Sequence, residues 1–241
     1  MEKGRVVFCT PSLKGPTAPY LAALSASIPL ITAAGWQELY VQELGNPYIS
    51  AARATMTRKA LDAKADVIVY LDYDVSWAPE DLLTLIETPG DVVAGLYRFK
   101  TDDEAYMGTL RCDYEGYPRA RADGCVLADK IPAGFLKVTK GAIARVMRAH
   151  PELVFGEPYN PSVDLFNHGA YEGVWYGEDY AFSRRWNALG GEIWIVPDLD
   201  ISHHTETVEY PGNYHLFLQR QPGGALDPAR DTLDVQSLKR A

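Results

Sequence analysis

Asp66–Leu83 reads DVIVYLDYDVSWAPEDLL. Five apolar residues, Val67 to Leu71, run without alternation into Asp72 and Asp74, and Pro79-Glu80-Asp81 then opens a helix-like pattern. An unbroken apolar run of this kind is the mark of a strand covered on both faces, as in a parallel sheet. A proline at the first helical position followed by acids marks a helix start. Strand, acidic turn and helix in succession place the chain in the α/β class. The turn itself raises a chemical question, because two carboxylates at the end of a buried strand are costly unless solvated, hydrogen-bonded or bound to a cation.

The same alternation extends on both sides. Arg5–Cys9 is a first strand closed by Thr10-Pro11, followed by a proline-rich loop and a helix ending near Gly35. Glu38–Leu44 reads as a strand, and Ser50 as the N-cap of a helix to about Ala65 in which Arg58 and Asp62 stand at i,i+4. Downstream come strands at Asp91–Leu96 and Ile131–Val138, a helix capped by Thr139 through His150, a helix from Gly177 to a Gly-Gly stop at Gly190, and a strand at Glu192–Val196. Tyr97–Lys130 is turn-rich and too long for a simple connection, which suggests a lid or an acceptor-binding insert. The expected architecture is a mostly parallel central sheet flanked by helices over residues 1–214, with residues 215–241 as a C-terminal extension carrying one short helix.

At 241 residues, 47% hydrophobic and 23% charged, the chain has the composition of one globular domain. Its formal net charge of -9 disfavours general binding to polyanions, and the basic residues of Arg98–Asp123 are interleaved with acids. Three cysteines, Cys9, Cys112 and Cys125, lack CxxC spacing and read as free thiols of a reducing compartment. No apolar run reaches the length of a membrane span and no leader pattern is visible, so a cytoplasmic protein without membrane or obligate protein partner is expected.

In parallel sheets, ligands sit beyond the carboxyl ends of the strands. Asp72 and Asp74 occupy such an end. Hard cations such as Mg2+ and Mn2+ take oxygen ligands and share them with substrate phosphates, so the pair suits a metal–diphosphate site. The spacing alone says little, since Asp198 and Asp200 repeat it, and a solvated turn would also accommodate two aspartates. Glu178 and Asp179 open a later helix, whose N-terminal dipole is expected to keep Asp179 ionised and able to act as a general base. Simple helix capping explains the two acids equally well. His203 and His204 follow a further strand, where an imidazole can complete a metal shell or serve only the core.

Taken in order, VIVYLDYD, VVAGLYRFK, PAGFLKVTKGAIARV, YGEDYAFSRRWNALGGEIWIVPD and SHH resemble the GT-A nucleotide-sugar glycosyltransferases, in particular inverting, family 2-like members of phage and bacterial type. The resemblance spans Arg5 to about Tyr214 and implies a single Rossmann-like GT-A domain. It implies a hexosyl- or pentosyltransferase that uses a nucleotide-sugar donor, a UDP-sugar in the first instance, with Mn2+ or Mg2+. Asp72 would meet the ribose or the metal, and Asp74 the metal. His203, or His204 beside it, would be the later metal ligand. Asp179 matches the catalytic base, with Glu178 orienting the acceptor. Thr10, Pro11, Arg53 and Gly134 fall at donor-binding positions, and Tyr97, Arg98 and Trp175 flank the acceptor side. The acceptor hydroxyl is left open between a hydroxymethylated pyrimidine in DNA and a glycan.

Two other classes remain. A nucleotidyltransferase would use the same strand-end carboxylate but needs a glycine-rich phosphate loop after the first strand, where only Gly15 stands. A non-catalytic nucleotide- or sugar-binding module would need no base at Asp179.

Overall fold

The first strand is longer than its apolar run. In the computed structural model, which describes residues 3–112, 114 and 118–220, β1 spans Gly4–Ser12 and continues through Thr10-Pro11. Pro11 is tolerated because pairing with the neighbouring β3 ends at Cys9↔Tyr70, so one hydrogen-bonding side is already vacant there. α1 (Ala18–Ala33) follows, capped by the Thr17 side chain. Then come β2 (Trp36–Leu44), α2 (Ile49–Asp62), β3 (Val67–Leu71), β4 (Val75–Trp77), α3 (Pro79–Glu87) and β5 (Val92–Ala94). β6 (Thr109–Leu110), β7 (Val126–Lys130), β8 (Phe135–Thr139) and α4 (Lys140–Ala149) complete the middle. Two hairpins, β9 (Val154–Glu157) with β10 (Asn160–Val163) and β11 (Gly169–Tyr171) with β12 (Val174–Tyr176), lead into α5 (Glu178–Ala188). The chain continues through β13 (Ile193–Ile195), β14 (Asp200–His204), β15 (Glu209–Asn213) and α6 (Tyr214–Arg220).

Eight strands form the central sheet in the order β2-β1-β3-β8-β5-β13-β7-β6. Only β8 and β7 run against the others, so the sheet is mixed but mostly of one direction. β3 explains its own apolar continuity: Ile68 and Tyr70 pack with α2, α4 and α5 on one face, while Val67, Val69 and Leu71 pack with α1 and α3 on the other. At about 25 cal/mol per Å2 of apolar area removed from water, these two layers are the main source of stability. The buried Lys137 of β8 satisfies its ammonium on the carbonyls of Ile86 and Thr88 at the end of α3, which is why a lysine can stand in a buried strand.

Four local expectations are corrected. Ser50 does not cap α2, whose N-cap is Tyr48; Ser50 is buried inside the helix. The strand expected from Ile131 begins at Phe135, because Ile131–Gly134 carries the chain across from β7 to β8, which lies three places away in the sheet. Within Tyr97–Lys130, Val126–Lys130 forms a strand, so the segment is not loop throughout. β3 has β8 antiparallel on one side and not a second parallel neighbour. The Arg58–Asp62 pair is present at 3.0 Å.

A second, three-stranded antiparallel sheet, β15-β14-β4, was not visible in the sequence; it brings His203 opposite Val75, one residue beyond Asp74. α6 packs its Tyr214 and Phe217 rings on Tyr106, and the remainder of the expected extension, residues 221–241, lies outside the described residues. Among the described residues no helix is long and apolar enough to cross a membrane.

Candidate active site

The carboxyl ends of β1 and β3 meet the first turns of α2 and α5 around a cleft of about 280 Å3. Pro11, Leu13 and Ile49 give one wall its apolar character, and Asp72, Asp74, Glu178 and Asp179, with His203 beside them, line the other. β3 stops at Leu71, where the Asp72 amide donates to the Gly134 carbonyl (2.9 Å) and the Val75 amide to the Asp72 carbonyl (3.2 Å). β4 then starts at Val75 and pairs with β14. The Asp72–Asp74 turn is therefore clamped between two sheets.

The two aspartates are used differently. Asp72 Oδ1 accepts from Arg53 Nη2 (3.0 Å) and Oδ2 from the Tyr97 hydroxyl (3.1 Å). Arg53 is 1% exposed and lies over the Phe166 ring, and its Nη1 donates to Glu178 Oε1 (3.3 Å). Burial works against the guanidinium charge, but Asp72 and Glu178 outweigh it and hold Arg53 above its ordinary pKa. Arg53 thus joins the end of β3 to the start of α5. It forms part of the cleft floor, as a buried tie between two carboxylates.

Gly134 is required by this arrangement. A Cβ there would fall 2.7 Å from Asp72 Cγ and collide with the Tyr97 hydroxyl. Gly134→Ala is expected to displace Asp72 and cost about 1–3 kcal/mol, as overpacked sites do. A lowered urea midpoint would show it; an unchanged midpoint would mean that Asp72 moves freely.

Asp74 is 8% exposed and bonds the Lys100 ammonium. His203 Nε2 faces the same oxygen, Oδ2, at 3.7 Å. Burial alone would raise the Asp74 pKa, but His203 and Lys100 reverse the sign and hold it below the ordinary carboxylate range. His203 Nδ1 lies 2.8 Å from the Arg98 carbonyl, an acceptor only, so Nδ1 donates there and the ring is held with Nε2 toward Asp74. A backbone carbonyl that fixes the imidazole tautomer is the usual support of a metal-binding histidine. His204, on the opposite face of β14 by strand alternation, bonds the Ser76 hydroxyl at 2.7 Å.

Among the described residues no three His, Cys, Asp or Glu side chains form a ready-made metal cluster. A hard cation that keeps waters and phosphate oxygens could take Asp74 and His203 as two ligands, whereas both Asp72 oxygens are engaged elsewhere.

Asp179 opens α5 with its carboxylate accepting from the Tyr180 amide (3.0 Å). Burial, and then the neighbouring Glu178, raise its pKa to about 6, while Arg53 pulls the other way. The helix dipole therefore does not hold Asp179 as an ordinary ionised acid. A carboxylate tuned toward neutrality is better suited to take a proton.

Other expected positions fall elsewhere. The Thr10 side chain is buried against the Tyr20 hydroxyl, so only Pro11 of that pair lines the cleft. Tyr97 is buried beneath Asp72. Arg98 does not line the cleft: its carbonyl accepts from His203 Nδ1, and its guanidinium points to Pro211, Thr101 and Asp102. Trp175 stands 69% exposed on the β11–β12 hairpin beside His168 and does not line the cleft. Lys100, which sequence reasoning passed over, is the cation nearest the Asp74 carboxylate. Only its position four residues after Leu96, at the exit of a strand, hinted at it.

No family model matches the chain, and no curated protein does. Solved structures are similar to it at low identity, among them the following three. Mannose-1-phosphate geranyltransferase from Thermus thermophilus matches at 16% identity over 61% of this chain and 61% of its own, with a TM-score of 0.41. A glycosyltransferase involved in the glycosylation of the major capsid of PBCV-1 matches at 12% over 64% and 69%, with a TM-score of 0.35. S. aureus TarS 1-349 matches at 12% over 82% and 58%, with a TM-score of 0.43. The chain thus spans about three fifths of the length of the first and third. The function rests on the chemistry of the cleft itself.

Proposed function

We propose that the chain is a GT-A-type glycosyltransferase that moves a hexosyl or pentosyl group from a nucleotide sugar, in the first instance a UDP-sugar, to an acceptor hydroxyl with inversion. The observation that carries this reading is the presence, in one cleft beyond the ends of β1 and β3, of a carboxylate with a pKa of about 6 at Asp179 and of the Asp74–His203 pair. The first is a proton acceptor and the second a cation site. A transfer that removes a proton from a hydroxyl and leaves a diphosphate needs both.

Charge supports the same pairing. Asp72, Asp74, Glu178 and Asp179 outnumber Arg53 and Lys100 around the cleft, so an incoming diphosphate meets net repulsion. Mg2+ or Mn2+ held by Asp74 and His203 would supply the missing positive charge beside the departing diphosphate. Asp72 offers the remaining lone pairs of its fixed carboxylate to a ribose hydroxyl. Pro11, Leu13 and Ile49 give the base an apolar wall. Asp179 takes the acceptor proton while the acceptor oxygen bonds the anomeric carbon. The bond from that carbon to the diphosphate breaks on the opposite face, and its electron pair stays on the phosphate oxygen. Glu178, held by Arg53, orients the acceptor side. The acceptor is proposed to be a glycan or a hydroxymethylated pyrimidine in DNA; the net charge of -9 favours the glycan.

A thermal-shift panel of nucleoside diphosphates with Mn2+, Mg2+ or chelator tests the donor half. At saturating ligand the melting point should rise by roughly 5–10 °C, from linkage of about 2.7 kcal/mol in a domain of this size. The rise should disappear in Asp74→Ala and in His203→Ala, and persist in His204→Ala provided that variant folds. Equal shifts with chelator would remove the metal from the mechanism.

A further inference from the structure

Asp74 gives a single oxygen, Oδ2, to two claims. The Lys100 ammonium pairs with it, and His203 Nε2 faces it at 3.7 Å. A divalent cation at Oδ2 and Nε2 would stand against the same ammonium, and like charges at such range repel strongly. Metal and Lys100 therefore compete for one carboxylate.

We propose, resting on the metal-dependent transferase reading, that Lys100 is a tethered stand-in for the metal. Its ammonium occupies Asp74 in the free protein, and the arriving nucleoside diphosphate draws it away, so that cation and donor load together and each binds weakly alone.

The local structure suits this exchange. Lys100 sits at the turn of a short hairpin whose backbone is pinned by the Arg98↔Tyr106 bridge and by the Phe99 amide on the Ala105 carbonyl (2.9 Å). Its side chain is 31% exposed, so the flexible stem can swing from a fixed anchor without unfolding anything. A diphosphate carries more negative charge than one carboxylate and is the better partner for a strongly hydrated ammonium. Once moved, Lys100 adds a positive charge on the donor side while the vacated oxygen becomes available to the metal. The expected result is positive coupling between two ligands that share one switchable side chain.

Mn2+ binding to the full chain, followed by electron paramagnetic resonance of the free ion, tests the proposal without an acceptor. In the native sequence Mn2+ alone should bind weakly, and uridine diphosphate should tighten it about tenfold or more, within the usual range of such couplings. Lys100→Met should tighten Mn2+ alone by about tenfold and flatten the coupling. The same variant should weaken uridine diphosphate in chelator. Lys100→Arg, which keeps the charge, should retain the coupling. If Lys100→Met leaves Mn2+ affinity and coupling unchanged while Asp74→Asn abolishes Mn2+ binding, the metal site stands and the role of Lys100 is overturned. If the native chain binds no Mn2+ with or without the diphosphate, and Lys100→Met binds none either, the metal reading itself is lost and this proposal goes with it.

Discussion

Replacing Asp179 with Asn is expected to lower kcat by about a hundred- to ten-thousand-fold, the range supplied by a positioned general base, while nucleotide binding measured by calorimetry stays close to that of the native chain. The asparagine keeps the shape and the acceptor for the Tyr180 amide but takes up no proton. The pH dependence follows from the same residue. Burial and Glu178 raise the Asp179 pKa to about 6, and the carboxylate is the working form. kcat/KM should therefore be low at pH 5, rise as pH passes about 6, and level off above it. Glu178→Gln removes the neighbouring charge that raises the pKa and frees Arg53 to act on Asp179 more strongly. Both effects should move the acid limb to lower pH. Normal turnover in Asp179→Asn would overturn the assignment of Asp179 as the base.

The second large effect is on stability. Arg53→Leu should cost about 3–5 kcal/mol, because it removes one partner of a buried ion pair and leaves the others uncompensated. Arg53 is 1% exposed and its guanidinium answers both Asp72 at 3.0 Å and Glu178 at 3.3 Å. A leucine would fill part of the space over Phe166 but would leave two carboxylates facing each other across it. Urea unfolding with an unchanged slope and a lowered midpoint is the expected signature. A loss below about 1 kcal/mol would place the two bridges in the class of exposed pairs, which contribute little. Arg53→Lys should recover only part of the loss, since one ammonium cannot reproduce a fork that reaches two acceptors.

The elements that were legible in the sequence are those whose pattern is local. The apolar run of β3, the proline start of α3, the Thr139 cap of α4 and the Gly-Gly end of α5 each carry their own signal, and each stands where it was expected. Strand direction carries no such signal. Phe135–Thr139 is as apolar as a parallel strand would be, so its antiparallel insertion between β3 and β5 could not be read. Val126–Lys130 was obscured by the turn residues before it. The histidine pair shows the same limit: alternation along β14 says that His203 and His204 face opposite ways, but only the pairing with β4 says which one meets Asp74. Thr10, Arg98 and Trp175 were placed by sequence order alone, and side-chain direction then sent each away from the cleft. Arg53 reached the cleft, but as the support of its acids. Lys100 was invisible because a lysine in a polar turn has no pattern to distinguish it.

The clamp on the Asp72–Asp74 turn also sets an order in time. Asp72 takes its backbone acceptor from Gly134, Asp74 meets His203, and Arg53 reaches Glu178 across 125 residues of sequence. Contacts of such separation are closed late, after the entropy of the intervening loops has been lost. At ordinary rates of synthesis, roughly 5–20 residues per second, the acidic end of β3 leaves the ribosome well before the strand that carries its histidine. During that interval the nascent chain holds β1, β2 and β3 but no competent cleft. The site is then completed only once β14 has been made, and a chain arrested before it would present the aspartates to water with neither the imidazole nor the second sheet to organise them.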